Sequence, residues 1–140
     1  RHGIEHIFIC NGHAGNGSLL GQMDRFREEL GIDVRFHSYW EAYSEEFVNE
    51  HLTSGDCPAH AAEFETSVAL AAFPGNAHWD NVNYDAESFD IQWEHYREQD
   101  PVYHYAARDL ATPAKGRIMI DAAANWVANQ VKNMRGDPVS

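Results

Sequence analysis

A run of apolar β-formers, HIFIC (residues 6–10), passes without a spacer into the loop NGHAGNGS (residues 11–18). A short continuous apolar run bounded by Asn-Gly is the pattern of a strand covered on both faces, as in a parallel sheet, and it predicts Cys10 as a buried, inert thiol. Parallel strands need a crossover, so a helix should follow. The segment NGSLLGQMDRFREELG (16–31) supplies one: Leu19, Leu20, Met23, Phe26 and Leu30 recur at helical spacing, with Ser18 near the start and Gly31 as the stop. IDVRFHSY (32–39) then alternates as a second strand. This β-loop-α-β unit sets His13 at the carboxyl edge of a sheet, where open α/β folds place their ligands.

Beyond it, residues 40–51 read as a short helix with Trp40, Tyr43 and Phe47 on one side, and LTSGDCPA breaks it. HAAEFETSVALAAF (60–73) reads as a helix whose small apolar second half packs against the sheet, ended by Pro74-Gly75. Residues 76–110 form a long excursion with weak periodicity, of the kind that covers sites. TPAKGRIMIDAAANWVANQVKNM (112–134) closes the chain as a helix, with Pro113 in its first turn and Ile118, Ala122, Trp126 and Val127 on one side. The expected class is α/β, a parallel sheet flanked by helices, in a single domain over residues 1–140.

Acidic residues outnumber Lys plus Arg by 22 to 10, for a net charge of −12, so a nucleic-acid backbone would be repelled. No stretch of about eighteen apolar residues or charged-then-apolar leader is seen, so no membrane partner is expected and the cytoplasm is the expected compartment. Two cysteines, Cys10 and Cys57, give no disulfide framework. Nine histidines are the more telling excess, because imidazole is both a common metal ligand and the usual proton carrier near neutral pH.

In the opening loop, Gly12 and Gly15 let the backbone turn closely about His13, and Asn11 and Asn16 can tie it down through their side chains. Taken alone the loop reads equally as a phosphate cradle or an ordinary Asn-Gly turn at a helix N-terminus. In HAAEFETS, His60 and Glu63 stand three apart and share one helix face, while Glu65 lies on another. A His and a carboxylate on one face suit a metal or a proton relay; the plain alternative is a capping His60 beside a solvated Glu63.

NGHAGN, then GDCPAHAAEFETS (55–67), then LATPAKGR (110–117) together closely resemble the creatininase, or creatinine amidohydrolase, family over nearly the whole chain. The resemblance implies an α/β fold, a pair of divalent ions (Zn, Mn or Fe) and hydrolysis of a C–N bond in a small cyclic or linear amide. It implies that His13 is a metal ligand and His60 the catalytic general acid/base. In creatininase a Glu two residues beyond the motif His ligates metal. Gly15 stands there in this chain, so Glu63 becomes the candidate for that ligand and for a catalytic role, with Glu65 the lesser substitute and Thr66 and Ser67 structural.

Gly12, Ala14, Gly15 and Trp40 are the expected substrate contacts, with Trp79 and Trp93 as further candidate pocket walls. Family members carry another strand and an acidic-and-His motif ahead of the NGH loop. The resemblance therefore implies that this chain is the C-terminal portion of the fold. A preceding segment or a companion polypeptide would complete the metal site and the sheet, within a homo- or hetero-oligomer. Two other readings stand beside it: a non-catalytic partner subunit of such a heteromer, and a flavodoxin-like phosphate- or nucleotide-binding domain, which leaves HAAEFETS unexplained.

Overall fold

The structure is a computed structural model, and it describes residues 3–55, 57–58, 63–76 and 110–138. Two compact units emerge, one of Arg1–Ser44 with Asp121–Ser140, the other Glu45–Ile120.

In the first unit, β1 (His6–Asn11) and β2 (Asp33–Ser38) pair in parallel, in a register that runs from His6 opposite Asp33 to Asn11 opposite Ser38. The crossover is not the single helix expected. A 3-10 segment (Ala14–Gln22) comes first, and α1 begins only at Met23 and ends at Leu30. Gly15, Gly17 and Gly21 explain the delay, since each costs roughly 1 kcal/mol relative to Ala inside an α-helix, and a tighter, poorer winding takes over. The register of side chains shifts with it: Leu19 and Leu20 are 40% and 59% exposed, and Met23 is the first residue to reach the core.

That core consists of Met23, Val34 and Phe36, with Ile7, Ile9, Phe26 and Ile32 packed against it. Each large side chain fully removed from water contributes roughly 1.5–3 kcal/mol. Successive residues of a strand face opposite ways, so the inward turn of Ile7 and Ile9 sends Cys10 to the other face, and Cys10 is exposed rather than buried. Gly31 closes α1 with a left-handed φ of 65°, its N–H donating to the Arg27 carbonyl at 2.9 Å, as expected for a C-terminal glycine.

The helix expected over residues 40–51 divides into a 3-10 turn (Tyr39–Ala42) and α2 (Glu45–His51). The second unit contains α2, α3 (Glu63–Ala72) and the start of α4 (Pro113–Arg135), and it buries Val48, Leu52, Phe64, Ala71 and Met119. Glu45 and Glu46 occupy the first turn of α2 and complement its N-terminal dipole. Thr112 starts α4, its hydroxyl accepting the Lys115 N–H at 3.2 Å, and Pro113 takes the position where a missing N–H is harmless.

The buried residues at the start of α4 are Gly116 and Met119, not Ile118, which is 41% exposed. A β-carbon on Gly116 would overlap the Ser67 carbonyl, so the α4 backbone rests directly on that of α3. Apolar periodicity does not register this contact, because it is made by the residue with no side chain. The expected excursion over 76–110 lies, apart from its two ends, outside the described residues. No described helix is long and apolar enough to cross a membrane.

Candidate functional site

The loop after β1 is tied down by one buried amide. Asn11 is 4% exposed. Its Oδ1 accepts the His13 backbone N–H and the Asn16 Nδ2–H, both at 3.1 Å, and its Nδ2 donates to Ser38 Oγ at 2.9 Å. The parallel register makes the last contact possible, because Asn11 and Ser38 are opposite each other at the carboxyl ends of the two strands. The Asn16 N–H closes the turn on the His13 carbonyl at 3.1 Å. Both backbone polar groups of His13 are therefore held, while the residue itself is exposed.

Its imidazole lies over Gly15: a β-carbon built there would come within 2.6 Å of His13 Nε2. The glycine thus makes room for the ring, and a carboxylate side chain at this position would displace it. Tyr39 faces the same loop, with its ring 3.9 Å from where a Gly12 β-carbon would be. Trp40 is half-buried and meets Tyr39 edge-on at 5.2 Å between ring centres. The loop runs into a 3-10 segment and not directly into an α-helix.

In the second unit, Glu63 opens α3 with no exposed surface at all. Thr53 N–H donates to its Oε1 at 3.1 Å, Ser54 N–H donates to its Oε2 at 2.7 Å, and Lys115 Nζ makes a short ion pair with Oε1. The same ammonium donates to Thr53 Oγ1 and to the Leu110 carbonyl, each at 3.1 Å. Burial by itself would raise the Glu63 pKa; the Lys115 ammonium, the N–H groups of Ser54 and Thr53 and the Ser54 side chain outweigh it and hold the carboxyl below its usual range. Ser67, one helix turn further on, is also fully buried and accepts the Thr112 N–H at 3.1 Å, the structural part expected of it.

The two clusters marked in the sequence therefore differ in kind. His13 presents an exposed imidazole on a fixed backbone, which suits a metal ligand. Glu63 is buried instead, and its carboxylate accepts from Lys115, from the N–H groups of Thr53 and Ser54 and from the Ser54 side chain, joining residues 53–54 to the starts of α3 and α4. The ligand and catalytic roles expected of Glu63 stay proposals beside this structural one. His60, Trp79 and Trp93 lie outside the described residues. Among the described residues no three His, Cys, Asp or Glu side chains gather into a set that could hold a metal ion.

Lys115 is the site-region residue that sequence reasoning missed. Its signal was present, as the only Lys of LATPAKGR, but nothing in the spacing links it to a Glu fifty-two positions earlier. A family model described as creatininase, creatinine amidohydrolase, matches residues 1–131. No curated protein and no solved structure matches the chain.

Proposed function

The chain belongs to the creatininase family, one of hydrolases of the amidohydrolase kind, and on that premise we propose that it acts as a metal-dependent hydrolase cleaving a C–N bond in a small cyclic or linear amide. The observation that carries the reading is His13, an exposed residue whose backbone N–H is held by Asn11 at the carboxyl edge of two parallel strands. Bound there, a divalent ion (Zn, Mn or Fe) would lower the pKa of water and polarise the amide carbonyl. The other ligands come from outside the described residues, on this chain or on a companion polypeptide.

The chain's own residues have separate tasks. His13 would hold the ion. Gly12, Ala14 and Gly15 leave the loop open to substrate beside it, and Trp40 supplies an aromatic wall. His60 accepts the proton of the attacking water and delivers it to the leaving nitrogen as the C–N bond breaks, which balances the hydrolysis to a carboxylic acid and an amine. Glu63 ties residues 53–54 to the starts of α3 and α4, and a part as ligand or catalyst is the further role proposed for it.

The test is a hydrolysis assay on a panel of cyclic and linear amides, creatinine and formamides included, with Mn, Zn or Fe supplied and then chelated. Turnover should vanish with chelator and return with metal. His60→Ala should keep its metal content and lose about 10²–10⁴-fold in kcat. Wild-type turnover in that variant would remove His60 from the mechanism, and no cleavage of any amide with any metal would overturn the reading as a whole.

A further inference from the structure

The hydrogen bonds of Asn11 do not end at Ser38. The Ser38 N–H donates to Glu41 Oε1 at 2.7 Å in a capping box that starts the 3-10 turn after β2. The other oxygen of that carboxylate, Oε2, lies 2.8 Å from His37 Nδ1. The His37 ring in turn stacks on Phe8 of β1, 5.6 Å between centres, and meets Trp126 of α4 edge-on at 5.5 Å. A continuous chain of polar contacts therefore runs from an aromatic cluster, through Glu41 and Ser38, to the amide that grips the His13 backbone.

Asn11 uses both ends of its side chain, one on the loop and one on this chain of contacts. It holds the loop only while Oδ1 faces the His13 N–H and Asn16, and nothing in the shape of a planar amide distinguishes O from NH₂. The His13 N–H, which can only donate, sets which end is Oδ1, and Ser38 Oγ holds the amide in that orientation by accepting from Nδ2 at the opposite end. Glu41 fixes Ser38 in turn by holding its N–H. Neither Ser38 nor Glu41 belongs to the motifs that mark the family resemblance.

We propose that Ser38 and Glu41 are positioning residues for His13, acting through the orientation of the buried Asn11 amide. This rests on the reading of His13 as a metal ligand, and outer-shell groups that orient a ligand are worth about 10–100-fold in metal affinity when removed. Ser38 is one residue further back, so Ser38→Ala should weaken binding of Zn²⁺ or Co²⁺ alone by about three- to tenfold, the worth of one neutral hydrogen bond. Ser38→Thr, which keeps the hydroxyl, should restore it.

A second readout needs no metal. Amide hydrogen exchange followed by NMR should show the His13 N–H exchanging several-fold faster in Ser38→Ala and at the native rate in Ser38→Thr, with Val34 and Phe36 unchanged as evidence of an intact core. Glu41→Gln, at a position open to solvent, should move the His13 amide in the same direction by less, which keeps the test available if Ser38→Ala folds poorly. An unchanged His13 amide in both Ser38→Ala and Glu41→Gln overturns the proposal, as does unchanged metal affinity in a Ser38→Ala protein whose parent binds metal. A parent that binds neither ion overturns the ligand reading instead, and the exchange rates then decide the positioning role by themselves.

Discussion

Replacing Lys115 with Met should cost stability out of proportion to an ordinary ion pair, and the structure sets the size. Glu63 has no exposed surface and Lys115 retains 23% of its side-chain exposure, so the substitution leaves a buried carboxylate without its cation. Removing one partner of a buried pair costs roughly 3–5 kcal/mol. The N–H donors of Thr53 and Ser54 stay in place, and Thr53 Oγ1 and the Leu110 carbonyl can return to water, which puts the cost at the lower end, about 3 kcal/mol. Urea unfolding followed by circular dichroism at pH 7 reads it as a fall in midpoint at constant slope.

The pH dependence supplies the sign. In the native protein the Glu63 pKa is depressed, so its contribution is complete above the ordinary carboxyl range and is lost as pH falls through the lower native value. In Lys115→Met burial is less opposed and the carboxyl titrates higher, so protonation relieves the variant first and the gap between the two proteins narrows from pH 7 to pH 4. Glu63→Gln added to Lys115→Met should recover part of the loss at pH 7. A cost below about 1 kcal/mol that does not change with pH would mean that the pair behaves as a solvent-screened one, and the reasoning would fall.

Two further outcomes follow from packing and burial. Gly116→Ala gains roughly 1 kcal/mol in helix propensity but drives a methyl into the Ser67 carbonyl, so overpacking of about 1–3 kcal/mol or more should leave a net loss in thermal unfolding; a stabilised variant would show that α4 does not rest on α3. Burial, with the Glu65 carboxylate adding to it, pushes the Cys57 thiol up to about 12, so at pH 8 its thiolate fraction is on the order of 10⁻⁴ and iodoacetamide should label exposed Cys10 well before Cys57, as read by peptide mass spectrometry; equal rates would contradict the burial of Cys57.

The β-loop-α-β unit was legible because its signals are local: an apolar run, an Asn-Gly boundary, an alternating strand and a terminal glycine, all within thirty-odd residues. What escaped the sequence was the balance between them. Helical spacing of Leu19 and Leu20 competed with three glycines, and the glycines won, so the apolar pattern described a face that α1 does not have. Gly116 shows the opposite failure, in which a residue without a side chain makes the tightest contact.

In the candidate site, the Asn11 and Asn16 ties could be read from residue type, and the Ser38–Glu41 capping box had its S-x-x-E spacing in plain view. The Glu63–Lys115 pair could not be read that way. A carboxylate three residues after a His looks the same in sequence whether it faces a metal or an ammonium, and only the fold brings a Lys from the start of α4 to it.

The claim on which the functional reading stands is that His13 ligates a divalent ion, and elemental analysis of the purified protein tests it most directly. The wild type, exchanged against Zn, Mn or Fe and freed of excess, should retain metal, and His13→Ala at the same fold and oligomeric state should retain measurably less. An unchanged metal-to-protein ratio in His13→Ala would contradict the account.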